Sequence, residues 1–355
     1  MAERLRNLSA VKVLQVIDRL DTGGAERVFV DLVSLLHADG VAVEVLLIVG
    51  DGPLAEQLPK GVPVHRLERK HRWSLPAMFR FLRLARRFDL VHVHMRHNMK
   101  YVLVCLMAHL RRLPLVFHDH YGIDQVRPLW MRFIPGWIHY VGVSRDLTDW
   151  ALGRLGGAAS RVHLLPNTVL PPKDLTSRSP AASSLVMVAN FRPVKNVEFA
   201  ILLAKRLGLS LTLIGKADES PYGKKIKALI QEAVGIEWLA DERNPAKHFQ
   251  NCIAAVHPAK SESGPLVLLE YLAHGLPFLA SDTGQVAAIA KQQLPELFLS
   301  TLDLEEWEDR LRQLLAHPPP PELLRGVFDR CFGPKTYLSQ CLAIYRSILS
   351  GSRDA

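Results

Sequence analysis

The sequence predicts an α/β protein made of two Rossmann-like, doubly wound parallel-sheet domains facing each other across a cleft. Three observations predict it. Short apolar runs alternate with stretches of helical spacing along nearly the whole chain, which is the rhythm of β-α-β units. The rhythm breaks once, between Pro166 and Ser184, where Pro, Ser and Thr crowd together as they do in a linker. A chain of 355 residues is also long for one domain, and two comparable halves are its natural division.

In the first half, 11–17, 41–49, 64–67, 90–95, 115–117 and 138–143 are apolar runs of strand length. Helical spacing lies between them at 27–36, 73–87, 99–110 and 145–155. In the second half the strands are expected at 185–189, 211–214, 236–239 and 253–257. The helices there fall at 197–207, 222–234 and 246–251. A short helix running to Gly275, an apolar run at 276–280, and helices at 305–315 and 334–349 complete the chain. The expected division is 1–170, a linker at 171–184, a second domain at 185–333, and a C-terminal helix, 334–355, returning to the first domain.

A hydrophobic fraction of 48% and a charged fraction of 22% belong to a globular protein with full cores. Cys105, Cys252, Cys331 and Cys341 form no CxxC pair, so neither a disulfide framework nor a zinc motif is expected, and a reducing cytoplasmic compartment is. The N-terminus lacks the apolar core of a signal peptide, and no apolar run reaches transmembrane length. The net charge of +9 belongs to the first half: 1–178 holds 25 Lys and Arg against 16 Asp and Glu. Much of it lies where Arg80, Arg83, Arg86 and Arg87 interleave with Phe79, Phe81, Leu82 and Leu84. Such a helix suits an anionic membrane surface, here the inner face of the cell membrane. It equally suits a solvated face whose apolar side packs on a sheet. No nucleic-acid motif accompanies it, and no nucleic-acid partner is expected.

Ligands of doubly wound sheets bind beyond the carboxyl ends of the strands. After the strand at 253–257 comes a loop with Glu262, then a helix bounded by Ser263 and Gly264 as caps, Pro265 as its first residue and Gly275 as its stop. The helix is apolar on every side except at Glu270, so it reads as buried, with a carboxylate that needs a partner. That partner is either a ligand or a neighbouring cation. After the first strand, Gly23 and Gly24 precede a helix N-terminus, where backbone closely approaches an anion or merely makes a tight turn. After the strand at 115–117, His118, Asp119 and His120 offer acid–base or metal-binding groups, or a polar loop. After the strand at 185–189, Arg192 and Lys195 bracket a turn suited to clamping a diphosphate.

GGAER, the His-containing loop, LPNTV, RPVKN and ESGPLVLLE, with seven residues between its two Glu, occur in this order over nearly the whole chain. Together they resemble glycosyltransferase family 4, retaining nucleotide-sugar-dependent enzymes of GT-B fold. The resemblance implies a nucleoside-diphosphate sugar on the second domain and a glycan or lipid-linked acceptor on the first. Its diphosphate would lie near Arg192, Lys195 and the helix N-terminus at Gly264, Pro265 and Leu266, with Gly215 nearby. Glu270 would hold the ribose hydroxyls and Glu262 the transferred sugar. Gly23 and Gly24 would close over phosphates or acceptor, and His120 would be the cleft histidine, with His118 as fallback. No metal and no cofactor is implied, so cations and backbone N–H groups would neutralise the leaving diphosphate. Asn190 replaces the family's usual Arg, and Ser263, Gly264 and Pro265 replace its Gly-Phe-Gly; Pro265 removes one N–H.

Two other readings stand beside this one. A non-catalytic nucleotide-sugar-binding membrane adaptor would have no need to keep Glu262, Glu270, Arg192 and Lys195 together. An NAD-dependent oxidoreductase would need the GxGxxG turn that this chain lacks.

Overall fold

The apolar runs become strands whose residues are buried on both faces, as in parallel sheets covered by helices on each side. In the computed structural model, described for residues 11–71, 74–107, 113–121, 129–154, 159–171, 183–242 and 244–351, the chain forms two compact units. Unit 1 takes residues up to Thr168 together with those from Pro334 onward, and unit 2 takes Val169–Gly333. Most of the expected linker lies outside the described residues; Ser184 already opens a strand.

Unit 1 runs β1 (Lys12–Ile17), α1 (Gly24–Ala38), β2 (Ala42–Leu47), β3 (Val64–Arg66), α2 (Leu75–Ala85), β4 (Leu90–His94), α3 (Arg96–Met107), β5 (Leu115–Asp119), β6 (His139–Gly142), α4 (Arg145–Arg154) and β7 (Val162–Leu164). Its seven strands are parallel in the order β3-β2-β1-β4-β5-β6-β7. The edge strands β3 and β7 are three residues long and half-buried, which limits the open edge. The unit's core gathers Leu14, Val16, Phe81, Val93, Phe117 and Tyr140 from sheet and helices.

Unit 2 runs β8 (Ser184–Val188), α5 (Val197–Leu207), β9 (Ser210–Ile214), α6 (Pro221–Gln231), β10 (Ile236–Leu239), β11 (Cys252–His257), α7 (Leu266–His274), β12 (Phe278–Ser281), α8 (Gly284–Ala290), β13 (Phe298–Leu299), α9 (Leu304–Ala316) and α10 (Pro321–Cys331). Its six parallel strands have the order β10-β9-β8-β11-β12-β13. The last helix, α11 (Pro334–Gly351), belongs to unit 1, where Tyr345 reaches Gln15 of β1.

Both sheets match the predicted class. In each, the strand order reverses once, between β1 and β4 and between β8 and β11, and these are the switch points where doubly wound sheets bind ligands. The periodicity misses β7, β13, α8 and α10, which are short or weakly patterned, and 245–251 forms a 3₁₀ turn rather than an α-helix.

Candidate active site

The switch point of unit 2 brings together the two loops that leave β8 and β11. The β8 loop makes a 3₁₀ turn at Pro193–Lys195, and its Val194 carbonyl accepts from the Lys260 N–H of the β11 loop at 2.8 Å. Lys195 Nζ thereby meets Glu262 Oε1 in an ion pair. His257, the last residue of β11, places Nε2 2.8 Å from the same carboxylate oxygen. Only 10% of the Glu262 side chain is exposed. Burial alone would push its carboxyl up; the His257 hydrogen bond and charge and the Lys195 ammonium outweigh burial and hold it down at about 2. Glu262 is therefore a carboxylate at neutral pH.

Behind it stands Gly284, the first residue of α8, at φ +81°. A Cβ there would lie 2.9 Å from the Glu262 carbonyl oxygen. The next N–H, of Gln285, donates to Ser263 O at 2.7 Å, so α8 fixes the loop from below. Pro265 is the N-cap of α7 and not its first helical residue. The N–H groups that the first turn leaves without a helical partner are then those of Leu266, Val267 and Leu268, and the proline removes none of these three. Gly275 closes the helix in the left-handed conformation, as expected.

One expectation is corrected here. The helix is not buried all round: Leu268, Leu269, Tyr271, Leu272 and Ala273 enter the core, whereas Leu266, Val267, Glu270 and His274 share a half-buried face. Helical spacing of three and four residues puts these side by side, so Glu270 stands on the half-buried face one turn beyond the helix start.

The neighbouring loops are latched by ring contacts. Trp238 Nε1 donates to Gly215 O at 2.8 Å, and the Phe191 and Trp238 rings lie 5.4 Å apart. Gly215 has φ +147°, and a Cβ on it would sit 2.0 Å from Ala189 O, so only glycine lets β9 pass the β8 loop there. Arg192 is exposed, with Asp218 in its field.

In unit 1, Gly23 is the N-cap of α1 and Gly24 its first residue. Close by in sequence, Asp18 pairs with His97 Nε2 at 3.0 Å and accepts from Asn98 at 3.2 Å. Asp119 turns away from its histidine neighbours: it is fully buried, pairs with Arg96 at 3.0 Å and accepts from Tyr140 Oη at 2.8 Å. His120 is half-buried just past β5, while His118 is wholly buried. Burial holds the His120 imidazole down to about 3, leaving it neutral at physiological pH.

Thus the structure joins Lys195 and Glu262 directly and puts Leu266 and Glu270 on the next helix. Arg192 lies outside this contact, and Gly23, Gly24 and His120 belong to the other unit. His257 escaped sequence reasoning; its only signal was its place five residues before Glu262, at the end of a strand.

A family model described as Glycosyltransferase Family 4 matches residues 22–170, and one described as Glycosyl transferases group 1 matches 180–325. The Bacillus subtilis (strain 168) protein EpsF, which carries a glycosyltransferase name, is 25% identical over 312 residues, covering 78% of this chain and 80% of EpsF. The exopolysaccharide phosphotransferase SCO2592 of Streptomyces coelicolor is 29% identical over 181 residues, 47% of this chain, and the match spans only 18% of SCO2592. Among solved structures, Anabaena Alr3699/HepE in complex with UDP and glucose superposes with a TM-score of 0.77 at 17% identity, covering 95% of this chain and 100% of that one.

Proposed function

This chain belongs to glycosyltransferase family 4, with its GT-B fold, and from that premise we propose that it moves a sugar, with retention, from a nucleoside-diphosphate sugar to a glycan or lipid-linked acceptor in surface polysaccharide or glycolipid synthesis. The observation that carries this reading is the ionised Glu262, held by Lys195 and His257 at the switch point of unit 2, with Glu270 on the half-buried face of the next helix. UDP in the HepE complex makes a uridine donor the first to test.

In this reading the diphosphate takes Lys195 from Glu262, because a doubly charged leaving group attracts the ammonium more strongly than one carboxylate does. Arg192, free to swing at the surface, and the N–H groups of Leu266 to Leu268 complete its cradle, with Gly264 and Gly215 letting backbone come close. Glu262 stays anchored by His257 and accepts from the sugar hydroxyls, stabilising the positive charge that grows on the ring as the leaving oxygen departs. Glu270 accepts from the ribose hydroxyls. In unit 1, Gly23 and Gly24 cover the phosphates or the acceptor, and His120, neutral, offers a hydrogen bond to the sugar. The acceptor attacks from the face the diphosphate leaves, so no protein nucleophile is needed. Lys195, Arg192 and the backbone meet the diphosphate charge without a divalent ion.

The membrane reading has its own support in α2. Leu75 and Phe79 are 62% and 70% exposed beside Arg83, Arg86 and Arg87, while Ala77, Phe81, Leu82 and Ala85 fill the core. Arg80 is exposed with them, and its Nη2 also donates to Leu67 O at 2.7 Å, which ties the helix to its own unit. Among the described residues no helix is long and apolar enough to cross a membrane, so the contact would be peripheral.

The test is release of nucleoside diphosphate from UDP-, GDP- and TDP-sugars, with product anomeric configuration read by NMR. We expect turnover with one nucleoside class, retention, and no gain from added Mg²⁺ or Mn²⁺. Binding without turnover for any donor and acceptor mixture would favour the adaptor reading. No binding at all would remove the proposal.

A further inference from the structure

Unit 1 carries a buried cluster of imidazoles that the reaction described above does not use. His92 and His94 lie two apart on β4, and His118 pairs in register with His94 on β5. Alternation along a strand puts all three on one face of the sheet, opposite to Asp119. They are 1%, 0% and 0% exposed. Their ring centroids lie 4.4 to 5.2 Å apart.

The hydrogen-bond accounting does not close. His94 Nε2 meets Gln15 Oε1 at 2.9 Å; because that oxygen can only accept, the His94 proton sits on Nε2 and a lone pair remains on Nδ1. His92 Nδ1 lies 2.6 Å from Tyr345 Oη, which also accepts from Gln15 Nε2 at 2.8 Å. Among the described residues, His92 Nε2 and both ring nitrogens of His118 have no partner. Buried polar atoms are normally satisfied, and three unpartnered nitrogens on two neighbouring imidazoles are an arrangement that apolar side chains would fill at lower cost.

We propose that His92, His94 and His118 bind one divalent transition-metal ion of the imidazole-preferring class, such as zinc(II) or copper(II). One ligand atom from each of the three histidines lies within 4.8 Å of the others. Zn–N bonds of about 2.0–2.1 Å in tetrahedral geometry need nitrogens roughly 3.4 Å apart, so the rings, now 16–42° from parallel, must tilt toward one point on binding. Gln15 and Tyr345 already stand where metal-binding histidines keep their outer partners, holding His94 Nε2–H and the Nδ1 side of His92. His120 Nε2, 3.0 Å from His94 Nδ1, is the neighbour that must yield that nitrogen to the ion. No carboxylate joins the set, since Asp119 is committed to Arg96 and Tyr140. That argues against magnesium and calcium, which take oxygen ligands, and against a two-histidine, one-carboxylate iron site. Bound there, the ion would tie β4 to β5 and, through Tyr345, to α11. The inference does not rest on the donor chemistry of unit 2.

The experiment uses untagged full-length protein, stripped with a chelator and titrated with zinc(II) or cobalt(II), with metal content measured after dialysis. We expect about one tightly held ion per chain and cobalt absorption bands of nitrogen-ligated, tetrahedral type. Tyr345→Phe, which leaves the three histidines in place, should weaken affinity roughly 10–100-fold. The double variant His92→Phe, His118→Leu should lose the ion; circular dichroism checks that it folds. If the wild-type protein holds no ion, or the double variant holds as much as wild type, the proposal is overturned.

Discussion

Glu262→Gln removes one charge from the unit 2 site and keeps its shape, so its effect can be worked from the structure. The carboxyl is held at about 2, against 4.5 for a free Glu. A shift of that size is worth roughly 3 kcal/mol at neutral pH, as an upper figure. Because the folded value lies below the unfolded one, this stability is complete above about pH 4.5 and is lost as pH falls toward about 2. Gln still accepts from His257, and Lys195, with 24% of its side chain exposed, regains some solvent, so the net loss at neutral pH should be nearer 2 kcal/mol. Hydrogen exchange of the β11 and α7 amides, corrected for intrinsic rate, measures it locally. Between about pH 5 and about pH 3 the wild type should lose more stability than Glu262→Gln, by up to about 1.4 kcal/mol per pH unit. A double-mutant cycle with Lys195→Met should give a coupling of about 1–3 kcal/mol. Parallel pH slopes, or a coupling below about 0.5 kcal/mol, would show that Lys195 and His257 do not hold this carboxylate.

Three further outcomes follow from other parts of the molecule. Glu270→Ala should weaken nucleoside-diphosphate binding about 10–100-fold by calorimetry, the loss of one charge-assisted hydrogen bond, with melting temperature nearly unchanged because the side chain is only half-buried; unaltered affinity would detach Glu270 from the ribose. Gly215→Ala forces a Cβ to 2.0 Å from Ala189 O at φ +147°, and should cost at least about 3 kcal/mol in thermal unfolding; a wild-type melt would mean the β8 and β9 loops do not pass this closely. Joint replacement of Arg83, Arg86 and Arg87 by Glu should abolish sedimentation with vesicles rich in anionic lipid, at about 1 kcal/mol per residue; undiminished sedimentation would return α2 to an ordinary solvated face.

Much of the fold was legible because its signals are local. The run KVLQVI is buried along almost its whole length, and such continuity is what a strand covered on both faces requires. α7 announced its end with Gly275, the residue that takes the left-handed turn without strain. The reading of Glu270 as a buried carboxylate failed for a physical reason. Composition shows that a helix is apolar on all sides, but only packing decides which side the core leaves open. Arg80 shows the same limit: its spacing placed it among the exposed cations, where it stands, but gave no sign that its Nη2 would also donate to the Leu67 carbonyl. The histidine stripe was half legible. HVH and HDH each alternate at the period of a strand, yet nothing local says that the two strands adjoin in register.

What the sequence by itself determined is therefore what neighbouring residues dictate through backbone geometry and periodic burial: two runs of β-α units, and a stopped, Glu-bearing helix after β11. What only the tertiary structure decided is which distant groups meet. Lys195 and Glu262 are 67 residues apart, and Gln15 and Tyr345 are 330 apart. They come together because the strand order reverses between β8 and β11, and because α11 packs in unit 1. Local periodicity does not encode strand order, since every strand of a parallel sheet presents the same alternation to any neighbour. The order is settled by the packing of the whole unit, and with it the charge on Glu262.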